Sequence, residues 1–328
     1  MNQARSLIAV AAILSLLALS ITILGQQSDS SQTPVERSSV NRPRPRGVRP
    51  VTIPITVRGR GSAQEQEVQP IGNLTVREDG EEQQILSVRS MSTAPISVAV
   101  LIQDDVVPSI SNEIKVTADF IRGLPRGSRV MVAYIRAGSL LVSQRFTTDL
   151  EQAASSLRIP IGSASAAPFS PYQEIRDALK RFESLPSGRR AMLVVSDGLD
   201  VSRGVDSSTP SLSIELERAI REAQRRSVAI YSFFAPTVGY TERGNQTLIS
   251  NGQSSLQRLS DETGGRAYFQ GTHAPVSFDP FLRELGRSLT QQLALTYLST
   301  HPQKGFHRID VKSDLPGVEV DHPAGYTR

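Results

Sequence analysis

The spacing of apolar positions changes character along this 328-residue chain. Residues 6–25, "SLIAVAAILSLLALSITILG", form an almost unbroken apolar run behind Arg5. That is the pattern of an export signal, either cleaved as a signal peptide (1–25) or kept as a membrane anchor. Residues 26–48 are rich in Ser, Pro and Arg without a hydrophobic period, and read as a disordered linker. From residue 49 the period becomes two. "VTIPITVRG" alternates, and "LTVREDGEEQQILSV" sets two alternating runs around Asp79-Gly80, a strong hairpin turn signal. Residues 49–93 are therefore expected to form a small β-hairpin module.

From residue 96 strand patterns alternate with helical ones. "ISVAVLI" (96–102) has six apolar residues in seven, as a strand buried on both faces requires, and "RRAMLVVSDG" (189–198) and "AIYSFFA" (229–235) repeat the pattern. Between them, Ile110, Ile114, Thr117 or Ala118, and Ile121 share one helix face ending at Gly123, and "YQEIRDALKRFESL" and "SIELERAIREAQRRSV" are amphipathic. "RVMVAYIRAG" and "LLVSQRFTTD" read as an antiparallel pair turning at Gly138. "SSLQRLSDETGG" is a short helix before the strand "RAYF", and a last helix, "FDPFLRELGRSLTQQL", precedes "ALTYLST". The alternation predicts an α/β fold over 94–300, with a doubly wound, mainly parallel sheet. Residues 301–328 carry two further alternating strands, expected to pack with the 49–93 module as one small β-module beside that domain.

Composition narrows the chemistry. The chain has no Cys and no Trp, which excludes a disulfide framework, a thiolate nucleophile and lipid attachment through cysteine. The formal charge of +4 is local: without Arg37, Arg42, Arg44, Arg46 and Arg49 it would be −1. A solvated basic tail, or one touching anionic lipid, accounts for that excess, and nucleic acid is not an expected partner.

Asp104, Asp105 and Asp197 fall at the carboxyl ends of buried strands, where open α/β sheets bind ligands. Asp104 or Asp105 has a second reading, as a cap for the following helix. Three separated pieces, "FTTD" (146–149), "VVSDGLD" (194–200) and "SDETGGRAYF" (260–269), in this order among the strands and helices, resemble the von Willebrand factor A (VWFA) domain over residues 94–300. The flanking hairpin and trailing strands resemble exported bacterial VWFA-related proteins. The resemblance implies a Rossmann-like sheet and a Mg²⁺ or Mn²⁺ ion held by an Asp-x-Ser-x-Ser loop, a Thr from a later loop and a late Asp. Asp197 matches the late Asp. Counting from Asp104 puts Val106 and Pro108 at the serine positions; counting from Asp105 puts Val107 and Ser109 there. The Thr position falls around Ser170 to Gln173, where there is no Thr. The resemblance thus implies a degenerate metal site of Asp105, Ser109 and Asp197, inside a binding face of Asp104, Asp105, Ser109, Ser170 and Asp197. Either no cofactor or Mg²⁺/Mn²⁺ is expected.

Other chemistry is thinner. Ser196-Asp197-Gly198 lacks the Gly of a nucleophile elbow, and the strand 229–235 ends without a Lys or Thr to complete a phosphotransfer site. His273, His301, His307 and His322 lack metal-ligand spacing and are expected to be solvated, although His301 and His307 lie close enough in sequence to meet. The expectation is an exported, non-catalytic VWFA-like module that binds a protein partner with weak or no metal dependence. It would be periplasmic, secreted, or attached to the inner membrane through residues 6–25. Two alternatives stand beside it: a structural or assembly protein acting through its β-module, and a divalent-metal-dependent hydrolase.

Overall fold

A computed structural model describes residues 48–59, 72–91, 94–185, 189–239, 241, 245–269, 271 and 277–328. The export segment, the linker up to residue 47 and His273 lie outside the described residues, so the expectations for them stand as made. Among the described residues no helix is long and apolar enough to cross a membrane.

The elements in chain order are β1 (Arg49–Gly59), β2 (Leu74–Glu78), β3 (Glu81–Ser90), β4 (Ile96–Gln103), α1 (Ser111–Arg122), β5 (Arg129–Arg136), β6 (Ser139–Thr147) and α2 (Leu150–Ser155). Then follow α3 (Pro171–Lys180), β7 (Arg189–Ser196), α4 (Ile214–Arg226), β8 (Ala229–Phe234), α5 (Gln246–Thr263), β9 (Ala267–Tyr268) and α6 (Asp279–Gln291). The chain closes with β10 (Leu293–Ser299), β11 (Phe306–Ser313), β12 (Val318–Asp321) and β13 (Gly325–Thr327).

The expected architecture, one doubly wound and mainly parallel sheet with a small β-module, is not what forms. The larger sheet is antiparallel and has 7 strands in the order β12-β1-β10-β3-β2-β11-β13; the other is a mixed sheet of 6, ordered β6-β5-β4-β7-β8-β9. The physical reason is legible in β10. It follows α6 and was read as the end of the α/β alternation, yet it buries alternate residues only, which suits a sheet with one dry face. It therefore pairs with β1 and β3, bringing residues 49–59 and the C-terminal strands around one core of Val51, Ile53, Ile55, Val76, Leu295, Tyr297, Ile309 and Val311. This sheet curls on itself: beyond β12, the Val311 amide donates to His322 Nε2 at 3.3 Å and the Ile309 amide to the Ala324 carbonyl at 2.9 Å. Arg49, counted above with the basic tail, opens β1.

In the mixed sheet β4 is buried along its whole length. Val98, Val100 and Ile102 face α1, α2 and α6, while Ala99 and Leu101 face α3, α4 and α5. Asp79-Gly80 and Ala137-Gly138 both turn with positive φ at each residue, as two-residue hairpin turns matching the strand twist require.

Arg189 joins the two sheets. It opens β7, is buried, and donates to the carbonyls of Met91 (2.9 Å), Ala94 (2.7 Å) and Leu289 and to Gln292 Oε1 (3.1 Å). One rigid fork of donors thus ties the β3–β4 connection and the α6–β10 connection to the same strand start. Replacing Arg189 with Met keeps most of the volume but strands these acceptors. Arg189→Met is expected to lower unfolding free energy by about 2–5 kcal/mol in a urea titration. A loss within about 0.5 kcal/mol, typical of surface substitutions, would contradict the clamp.

Candidate functional site

The acidic end of the mixed sheet is built by three loops, after β4, after β7 and after β8. The first and third are zipped together. The Val107 amide donates to the Pro236 carbonyl and the Val238 amide to the Asp105 carbonyl, each at 2.9 Å. The loop after β7 turns at Gly198 (φ +67°), where a Cβ would strike Leu256 of α5. At Gly252, in the same helix, a Cβ would strike the Asp197 carbonyl. Both glycines are there for close approach, and they press α5 against the Asp197 loop.

Asp104 has no exposed surface, and its charge is met. Arg158 grips it in a two-pronged bond, Nη1 to Oδ1 at 2.7 Å and Nη2 to Oδ2 at 2.8 Å, and the Ile161 amide donates to Oδ1 at 3.0 Å. Arg158 also lies over the Tyr134 ring, 3.8 Å from its centroid, and its backbone N–H and carbonyl both bond the Tyr134 hydroxyl. The loop 157–170 is thereby tied to the end of β4, and the Gly162 amide adds a bond to the Asp104 carbonyl at 2.9 Å.

Asp105 is 1% exposed. Its Oδ1 accepts from Gln103 Nε2 at 2.9 Å, and its Oδ2 is buried without a partner. Gln103 accepts in turn from the Ser196 hydroxyl, which receives the Gly198 amide at 2.9 Å. Desolvation first, and the negative Asp197 second, push Asp105 up to about 7. Asp197 accepts from the Leu199 amide at 3.1 Å and the Thr237 hydroxyl at 2.7 Å; burial still raises its pKa against these bonds. Ser170 is buried, precedes α3, and its hydroxyl has no partner. Ser109 stands in an exposed single turn, Pro108–Ile110.

The structure thus couples Asp105 to Asp197, commits Asp104 to Arg158 and leaves Ser109 at the surface. Among the described residues, the only group of three His or carboxylate ligand atoms within 4.8 Å of one another lies elsewhere, in the antiparallel sheet. The oxygens implied by the VWFA resemblance do not fit a hexacoordinate hard cation as they are arranged. Only Asp105 Oδ2 and the Ser170 hydroxyl are buried and free of partners here, and Asp197 is already taken up by Thr237 and Leu199.

Sequence reasoning missed Arg158 and Thr237. The second is a plain correction: a Thr does follow the strand of β8, after Ala235-Pro236, and its hydroxyl reaches the strand-end acid Asp197. Arg158 carried no signal beyond being a cation in a loop.

Unfolded, Asp105 titrates near 3.8; folded, it titrates at about 7. Across that interval the folded state holds a proton that the unfolded state has released. This group's stabilising contribution is full below 3.8 and is lost as the pH rises through about 7. The loss is at most about 4 kcal/mol. Glu174, buried in α3 and also pushed up to about 7 by desolvation, adds in the same direction. In EDTA-containing buffer, the fall in Tm from pH 5 to pH 8 is expected to be shallower for Asp105→Asn than for the wild type. Parallel profiles would refute the assigned proton.

No protein-family model matches the chain, and no curated protein matches it. Solved structures similar to it include an aerotolerance-related membrane protein from Bacteroides fragilis carrying multiple mutations to serines, 11% identical with TM-score 0.41, covering 60% of this chain and 99% of that one. A conserved hypothetical protein, BatB, from Bacteroides thetaiotaomicron is 12% identical with TM-score 0.41, covering 60% and 98%. A von Willebrand factor type A protein from Catenulispora acidiphila is 12% identical with TM-score 0.40, covering 75% and 74%. Likeness at this level assigns neither a family nor an activity.

Proposed function

We propose that this chain is an exported, non-catalytic VWFA-related module that binds a protein partner through the acidic end of its mixed sheet, with weak or no metal dependence. One observation carries the reading. The loop held down by Arg158 and Asp104 displays Ile159, Ile161 and Phe169 at 61%, 47% and 72% exposure. The Val201 amide bonds the Phe169 carbonyl at 2.8 Å, so the neighbouring loop braces the same rim. Large exposed apolar side chains on a fixed backbone are what protein interfaces use as anchors, because little ordering entropy remains to be lost on binding. Export rests on the apolar run at 6–25.

The non-catalytic part has its own support. His301, His307 and His322 belong to the antiparallel sheet or its connections, away from the acids of the mixed sheet. Asp104, one of the strand-end acids, is buried and paired with Arg158. A second reading, contact through the antiparallel sheet, is favoured by the exposed Leu86 and Val88 on β3.

A photo-crosslinking residue placed at 169 in expressing cells should give discrete protein adducts, and one placed at 86 or 88 should not. Ile161→Ser should abolish those adducts while changing unfolding free energy by less than about 0.5 kcal/mol, as befits an exposed position. Adducts from 86 or 88 alone would overturn the assignment in favour of the antiparallel sheet.

A further inference from the structure

The two histidines expected in solvated loops come together inside the antiparallel sheet. His301 follows β10 and His307 sits in β11; their ring centroids are 5.8 Å apart, and His307 is 4% exposed. Around them stand Glu78, at the end of β2 with no exposed surface, and Asp79, in the β2–β3 turn. His307 Nδ1 is 2.8 Å from Asp79 Oδ2 and 3.5 Å from Glu78 Oε1, and His301 Nδ1 is 3.7 Å from Glu78 Oε1. In a tetrahedral site with metal–nitrogen and metal–oxygen bonds near 2.1 Å, neighbouring ligand atoms lie about 3.4 Å apart. Three of the six ligand spacings, 2.8, 3.5 and 3.7 Å, bracket that value; Glu78, Asp79 and His307 offer atoms all within 4.8 Å of one another, and His301 joins them through Glu78.

Three observations ask for a cation there. His307 Nε2 lies 3.0 Å from the Gln303 carbonyl, which can only accept, so Nε2 carries the hydrogen. Nδ1 then faces two carboxylates and must either hold a second proton or share a positive ion with them. Glu78 Oε2 is buried and has no hydrogen-bond partner, while Oε1 is fixed by the Tyr326 hydroxyl at 2.8 Å and the Ser299 hydroxyl at 3.0 Å. His301 Nδ1 is also buried without a partner. An imidazole whose far N–H is held by a backbone carbonyl, beside a carboxylate oriented by hydroxyls, has the outer shell of a metal ligand.

We propose that Glu78, Asp79, His301 and His307 bind one Zn²⁺ ion. Imidazole nitrogen with carboxylate oxygen suits zinc, and four protein ligands close the shell, which makes the site structural. The ion would tie the β2–β3 turn to the β10–β11 connection and so lock the curl of the antiparallel sheet. Asp79, with its side chain 36% exposed, leaves the entry path.

The test is Zn²⁺ titration of the metal-stripped full-length chain by calorimetry. One equivalent should bind the wild type, and His301→Ala should weaken binding by about 100-fold or more. X-ray absorption at the zinc edge on the wild type needs no variant and should show two imidazole nitrogens with oxygen ligands. Absence of saturable binding, binding undiminished in a folded His301→Ala, or a spectrum without two imidazoles would each overturn the site.

Discussion

A carboxylate at the end of a fully buried strand has to be neutralised, and how Asp104 is neutralised shapes the acidic end of the mixed sheet. The two-pronged bond from Arg158, with Arg136 Nε 4.0 Å from the same carboxylate, meets that charge and makes the 157–170 loop part of the sheet end. Removing Arg158 would leave a carboxylate with no exposed surface short of its two-pronged partner; because the Arg158 side chain is 35% exposed, the cost falls below the roughly 3–5 kcal/mol of a fully buried pair. The loop that Arg158 holds is also the loop that carries the most exposed large apolar side chain among the described residues, Phe169. Fixing a loop through one buried carboxylate while exposing its apolar tips keeps the anchor apart from the exposed surface. Asp105 and Asp197 meet the same problem differently, by hydrogen bonds and a retained proton.

The legible parts of the fold are those whose signal is local. β4, β7 and β8 are continuous apolar runs because helices cover both of their faces, and the Asp79-Gly80 turn needs only two residues of the right backbone freedom. The antiparallel sheet was legible only in pieces. β1 pairs with β10 across more than 200 residues of chain, and β10 sits behind a helix, where a strand of the other sheet was the natural reading. The helix α5 begins at Gln246, well before the Ser254 start read from sequence, because Asn251-Gly252 looks like a breaker. Gly252 is there for the Asp197 carbonyl, a tertiary reason with no local trace.

The site shows the same division. The positions of Asp104, Asp105 and Asp197 at strand ends were visible, since they follow from the strands. Their partners were not, because Asp104 is met by Arg158, Asp105 by Gln103 and Asp197 by Thr237, which lie 54, 2 and 40 residues away respectively. The histidine cluster went unseen for a related reason: His301 and His307 acquire Glu78 and Asp79 only when β11 pairs with β2. Metal-ligand spacing in sequence presumes that one local element supplies the ligands, and here a sheet supplies them.

The central claim is that Arg158 and Asp104 hold the 157–170 loop as a rigid platform for Ile159, Ile161 and Phe169. Hydrogen exchange of the Ile161 and Gly162 amides, both bonded to Asp104, tests it most directly. The account predicts protection close to that of the β4 amides in the wild type, and its loss for these two amides in Arg158→Met. Fast exchange at Ile161 and Gly162 in the wild type would contradict it, since a loop that opens freely presents no fixed surface.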